Sequence, residues 1–281
     1  QEDVFQINQC RFDHNRLGFA YQLGFLRLVN RFPGQQPLEI ISELLSLVGS
    51  HLNIDPSLIS EYDKRQPTIS EHQFKIRGYL KKNDLGEHET SLLKRFIFDE
   101  ACRREPIGIL TSQAKEFLRE HGIIEPAFLV LQRLIKEQRN MAQQHIFKKV
   151  MEALPSGMAE KLDMLVDVQT GRISDFQNLK EPPARPSSDT IICLTAKLKQ
   201  IQDLGIIAID LTWLNNNYQR SLALYAKRCS ADRLKEIVPP RRYAALTCFL
   251  WQTFCETIDQ LIDAFYKLMG RICKRAENDI N

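Results

Sequence analysis

A chain of 281 residues that is 43% hydrophobic and 26% charged has the composition of a globular protein, with room for one large domain or two to three smaller ones. No window approaches the roughly 18 uninterrupted apolar residues of a membrane-spanning helix. The opening QEDVFQINQC also lacks the basic-then-apolar order of a signal peptide, so no membrane partner and a cytoplasmic location are expected. Seven scattered cysteines with no CxxC pair suggest neither a zinc site nor a disulfide framework and read as reduced thiols, most of them small core residues. The formal net charge of +3 is too small to name a partner by itself.

The periodicity is helical almost throughout, and the fold class is all-α. Residues 16–30 place Leu17, Ala20, Tyr21, Gly24, Phe25 and Leu28 at helical spacing, ended by Phe32-Pro33-Gly34. Pro37 occupies a first-turn position and predicts a helix to about Leu52. A short helix follows over Pro56–Asp63. Another begins after Pro67-Thr68, with Ile69, Ile76 and Leu80 as its buried stripe. Further helices are expected at about 88–104, 107–121 and 126–154. Residues 204–210 are ambiguous between strand and helix, and the prolines of 180–188 break the chain. Helices near 190–203 and 211–229 come next. Pro239-Pro240 then launches a long helix to about residue 277, whose apolar stripe from Leu246 to Ile272 reads as core or as a surface for a partner helix.

Two features point to nucleic acid. The first is an internal echo: residues 51–59 line up with 121–129, each copy reading as helix, short turn, then a helix opened by an acidic residue and proline. That is the outline of a helix-turn-helix, whose second helix can enter a major groove. The second is charge distribution. Residues 64–82 hold six basic residues against Glu71, residues 133–149 five against Glu137, and residues 227–242 six against Asp232 and Glu236. Each cluster alone is compatible with a solvated helix face, but three on a nearly neutral chain favour a polyanion.

Catalytic patterns are poor by comparison. There is no HExxH, GxSxG, GxxxxGK[ST] or GxGxxG. The pairs Asp163/Asp167 and Asp259/Asp263, each one turn apart, have no neighbouring ligand set and read as solvated faces. No metal site is expected.

The stretches RLGFAYQLGFLRLVNRFP (16–33), LISEYDKRQPTISEHQFKIRGYL (58–80) and VPPRRYAALTCFLWQTFCETIDQLIDAFYKLMG (238–270) resemble the N-terminal region of the TnpA transposases, the replicative enzymes of the Tn-three family. The pattern LGFA-x-QL-x3-R runs from Leu17 to Arg27. The pattern Y-x2-R-x2-T-x3-H-x3-I is met by Tyr62, Arg65, Thr68, His72 and Ile76, and R-x-A-x-L-x2-F by Arg242, Ala244, Leu246 and Phe249. Weaker agreement between them, including 123–139, extends the resemblance over almost the whole chain.

The resemblance implies helical DNA-binding modules that recognise terminal inverted repeats. The Asp-Asp-Glu catalytic domain and its divalent metal would lie further along a far longer polypeptide, so no cofactor and no enzymatic activity are expected of this chain. The partner is then double-stranded DNA at transposon ends, with self-association through the C-terminal helix as a further option. The expected organisation is a first module at 1–84, a second at 85–154, and a helical scaffold at 155–281. Arg65, Thr68, His72, Lys75 and Arg77 are the first module's candidates, with Lys64, Lys81 and Lys82 as phosphate contacts. Gln132, Arg133, Lys136 and Arg139 are the second's, joined by Gln113 and Lys115 from the preceding helix. The rival readings are a protein-interaction scaffold built on the apolar stripe of 240–277 and a stand-alone enzyme, for which the sequence shows no site.

Overall fold

The computed structural model describes every residue except Gln36, Arg104, Glu105, residues 168–173 and Asn281, and the side chains of residues 279 and 280. Arg104, the last residue of the helix expected at 88–104, therefore lies outside the described residues. Among those described there is no strand, as the helical periodicity requires. The ambiguous 204–210 segment holds one turn of 3₁₀-helix at Ile206–Ala208, with Ile206 and Ile209 buried. The chain divides into two compact units, residues 1–97 with 107–137, and residues 98–106 with 138–281.

The first unit is built around α2 (Asp13–Val29). Its sequence predicts a stripe, but its middle is buried on all sides, from Leu17 through Leu23 and again at Phe25 and Leu26, while Leu28 is exposed. Two apolar clusters explain this. Leu17, Tyr21 and Phe25 face Leu45 of α3 (Ser42–Leu52) and Tyr62 of α4 (Ile59–Asp63), whereas Phe19, Leu23 and Leu26 face Ile7 of α1 (Glu2–Asn8) and Ile76 of α5 (Gln66–Leu80). An apolar surface on every side is what a central helix needs.

The helix expected from Pro37 begins five residues later, at Ser42. Tertiary bonds hold residues 38–41 out of it. The Tyr21 hydroxyl donates to the Glu39 carbonyl at 2.9 Å and accepts from the Ile41 N–H at 2.8 Å. The Glu39 carboxylate takes both guanidinium nitrogens of Arg31, at 2.6 and 2.7 Å, and this pairing holds its pKa down at about 2.

Four chain reversals in this unit use left-handed residues. Asn53, Lys81 and Gly122 each close a helix with the paired bonds of a Schellman motif, and Asn30 closes α2 more simply. Ile54 N–H reaches the Gly49 carbonyl just as Ile123 N–H reaches that of Leu118, so the two turns share one backbone conformation 69 residues apart, one residue short of the offset of 70 at which the sequences line up. Past the turn the copies differ. Asp55 caps a single 3₁₀ turn at Pro56–Leu58 that runs into the short α4, while the second copy leads from α7 (Ile107–Glu120) into the 25-residue α8 (Phe128–Glu152).

In the second unit, α14 (Pro239–Ile280) supplies the core: every residue from Tyr243 to Leu250 is buried. It packs on α11 (Ser188–Asp203) and α12 (Asn216–Arg228), and its Phe249 rings against Phe176 of α10 (Asp175–Lys180). The expected stripe thus splits in function along the helix. Its first half is core, whereas Ile262, Phe265, Tyr266, Met269 and Ile272 are exposed. Asp163, on α9 (Met158–Leu165), is half-exposed and also engaged within the fold: it accepts from Arg242 at 2.7 Å and from the Tyr243 hydroxyl at 2.9 Å. The seven cysteines are free, but only Cys248 is buried, and Cys193, Cys255 and Cys273 are exposed rather than core.

Candidate nucleic-acid interface

Most of the basic residues turn out to have partners within the fold. In the 227–242 cluster, Lys227 pairs with Glu256, Arg233 with Glu236, Lys235 with Asp167 and Arg242 with Asp163, while Arg241 lies over the Tyr225 ring at 4.7 Å. In the Arg242 pair the guanidinium is mostly buried and the carboxylate about half exposed, so the pair chiefly satisfies the arginine. This cluster is therefore partly spent within the fold, through Arg242 above all, while Arg228 is exposed and forms no ion pair among the described residues.

The 64–82 cluster is different. Lys64 and Arg65, just ahead of and capping α5, are exposed, as is Lys81 at its end; among the described residues none of the three forms an ion pair. Lys75 meets Glu71 one turn away at 2.7 Å, both side chains more than half exposed. Such a pair is worth about 0–1 kcal/mol, so it leaves Lys75 available to a stronger anion. Arg77 is held by Asp84, and Thr68 is half-buried. The Lys82 amine, half-buried, donates to the Asn30 side-chain oxygen; desolvation, with Arg119 nearby, lowers its pKa.

His72 leaves the candidate set altogether. It is 4% exposed, between the Phe19 ring, edge-on at 5.2 Å, and the Tyr62 ring, stacked at 5.5 Å. Gln22 donates to the Tyr62 hydroxyl, which lies 2.9 Å from His72 Nδ1, and Nε2 faces Cys10 Sγ at 3.7 Å. Burial, reinforced by the nearby Lys75 charge, pushes its pKa down to about 4, so it is neutral at physiological pH. A buried neutral imidazole is a packing residue and touches no DNA.

From the second echo, Arg133 and Lys136 on α8 are exposed, and neither forms an ion pair among the described residues. Arg139 is half-buried and already has a partner. Gln132 reaches the Thr111 hydroxyl at 3.4 Å, and half-buried Gln113 leaves its Oε1 without a partner. Lys115 is committed to Glu125 at 2.8 Å. Glu125 itself is buried and does not cap α8; its N–H donates to the Asn30 carbonyl at 2.8 Å.

The bonds around Asn30 explain why the two echoes belong to one compact unit. Asn30 Nδ2 donates to the Ile123 carbonyl at 2.8 Å, Asn83 N–H to that of Gly122 at 3.0 Å, and Ile124 N–H to that of Asn83 at 2.8 Å. The C-terminal ends of α2, α5 and α7 are thereby tied in a knot of satisfied backbone groups. Lys81 sits beside it in left-handed backbone at φ 52°, a conformation glycine adopts without steric cost. Lys81→Gly should raise stability by about 0.5–1 kcal/mol, read as a higher urea midpoint at unchanged slope. If Lys81 also binds phosphate, the same variant should bind DNA more weakly, which separates the two roles.

The sequence patterns shared with the family are therefore mostly core. Leu17, Phe19, Ala20, Gln22, Leu23, Tyr62, His72 and Ile76 are all buried. Arg27 bridges to Asp3 at 2.7 Å. At Gly18 an added Cβ would collide with the Tyr62 ring, so the ring rests directly on the α2 backbone. Of the two N-terminal patterns, Arg65 and Thr68 alone remain as surface candidates.

Residues 1–138 match the family model described as Domain of unknown function (DUF4158). The chain is 28% identical to the transposase for transposon gamma-delta of Escherichia coli strain K12, over 99% of this chain and 28% of that protein. It is 27% identical to the transposase for transposon Tn501 of Pseudomonas aeruginosa, over 98% of this chain and 28% of the relative. With the transposase for transposon Tn1546 of Enterococcus faecium the identity is 26%, over 94% and 27%. The chain thus spans little more than a quarter of the length of these curated relatives, and similarity over nearly all of its own length relates it to the Tn-three family of transposases.

Proposed function

We propose that this chain binds double-stranded DNA sequence-specifically at transposon terminal inverted repeats, as the end-recognition part of a replicative transposase. Its surface would be the α5 end of the first unit together with the exposed start of α8, corresponding to modules at 1–84 and 85–154. Residues 155–281 would act as a helical scaffold, in the cytoplasm and on the nucleoid. The observation that carries the reading is that the exposed cations of the two echoed regions, Lys64, Arg65, Lys81, Arg133 and Lys136, form no ion pair among the described residues, and to them the weakly paired Lys75 is added. Cations not spent on an internal carboxylate are the ones able to displace counterions from phosphates.

Six such contacts predict that log K falls with log salt at a slope of about −5. Arg65→Ala with Lys75→Ala, and separately Arg133→Ala with Lys136→Ala, should each reduce the slope by about 1–2 and fade different segments of a footprint. A flat salt response overturns the reading. One double mutant that binds and footprints like the parent reduces it to a single module. If no DNA binding appears, the exposed second half of α14 favours the alternative, a helical interaction surface that includes self-association.

A further inference from the structure

The solvent face of α5 carries two residues that the fold does not use. Phe74 is 73% exposed, the most exposed phenylalanine among the described residues. One turn further on, a Cβ added at Gly78 would meet nothing within 4 Å. A lone exposed aromatic is ordinary, and so is a lone helical glycine. Their combination on one face is not, because each carries a cost and they are neighbours at i and i+4. The opposite face is fully spent, with Ile69, His72 and Ile76 buried against α2. Lys64 and Arg65 stand at the head of the exposed face, Lys75 beside Phe74, and Lys81 at its end; Glu71, the carboxylate on it, is bound to Lys75.

A helix with an aromatic at mid-face, a bare backbone one turn on, and cations at both ends matches the inside of a DNA major groove, where phosphates line the walls and thymine methyls protrude from the floor. The short 3₁₀ turn and α4 that follow the first echoed turn make up only eight residues, so α5 is the first helix after that turn long enough to lie along a groove. We propose that α5 is the groove-entering helix of the first unit, with Phe74 packing on a thymine 5-methyl group and Gly78 allowing the close approach that this contact needs. The inference rests on the DNA-binding reading above and makes it specific to one helix and one chemical group.

The test begins with the parent protein and a randomised duplex pool, from which binding sequences are selected. Each thymine of the selected duplex is then replaced singly by deoxyuridine, which deletes only the methyl group. At one or two positions the replacement should weaken parent binding about fourfold, the worth of one buried methyl. Phe74→Ala should bind the thymine and deoxyuridine duplexes equally while keeping the parent's salt slope. Gly78→Ala should fold at least as stably, since alanine is the better helix former and the space is open, yet bind the selected duplex at least threefold more weakly. Retained discrimination in Phe74→Ala, parent-like binding by Gly78→Ala, or the absence of any deoxyuridine effect overturns the assignment of α5 and leaves DNA binding standing. Self-association of the parent that Phe74→Ala abolishes would instead give this face to a second copy. No enriched sequence and no salt-dependent binding overturns both.

Discussion

Between pH 7 and pH 4 the first unit should lose about 3 kcal/mol of stability through one side chain, His72. The folded-state pKa is about 4, against an ordinary imidazole value of 6.5. The unfolded chain therefore binds a proton that the folded one refuses. That contribution to stability is complete above about pH 6.5, declines as pH falls toward 4, and is constant below it. The cause is geometric: the ring lies against Phe19 and Tyr62, its Nδ1 already faces the Tyr62 hydroxyl, and Lys75 adds an unfavourable charge. Glu71 pulls the other way and is outweighed by burial. Urea midpoints at pH 7.5, 5.5 and 4.5 should fall steeply for the parent, while His72→Gln, which does not titrate, should start lower and stay nearly level over this range. Parallel profiles for the two proteins would mean that another group sets the acid sensitivity. Glu39 is separable from His72, since its contribution is kept above its ordinary carboxylate range and lost only as pH falls toward 2.

The second large effect concerns the contact between Gly18 and Tyr62. Tyr62 is fully buried with its ring on the bare α2 backbone, so Tyr62→Ala should cost about 3–5 kcal/mol by leaving a cavity and an unsatisfied Gln22–His72 pair. Gly18→Ala should cost about 3 kcal/mol for the opposite reason, the upper end of what overpacking usually does, because a ring held at its hydroxyl by two partners cannot slide away. The two changes should not add. In the double variant the alanine methyl enters space the ring has vacated, and a coupling of at least about 1 kcal/mol is expected from residues in direct contact. Additive losses in chemical denaturation would show that the α2 backbone and the Tyr62 ring are not in the close contact described.

This pair also shows what a family pattern means physically. Leu17-Gly18-Phe19-Ala20 and Tyr62 with His72 lie in separate stretches of sequence and meet around α2, in the two clusters that pack on its opposite faces. Their spacing is dictated by packing, and exposed cations such as Lys64, Arg65 and Lys75 lie in between and around them. The sequence suggested the wrong role for His72 because a histidine on a basic helix has the same letters whether it faces a phosphate or a tyrosine. The signal that could have separated the two was its position at i+3 from Ile69 and i−4 from Ile76, on the apolar stripe of α5.

By itself the sequence determined the all-α class, the positions of most helices to within a few residues, the break before α11, and the likeness to the transposases. These follow from local rules: apolar spacing at 3.6 residues, prolines at first turns, and proline and glycine breaks between helices. It did not determine which charges are free. Lys235 and Asp167 are 68 positions apart in the chain and Arg242 and Asp163 are 79, so no local pattern could reveal that these two basic residues of the third cluster are engaged within the fold. Nor could it place the start of α3, which tertiary bonds from Tyr21 and Arg31 delay to Ser42, or divide the long α14 into a buried first half and an open second half. Periodicity says that a face is apolar or charged, and only the folded chain says what, if anything, covers it.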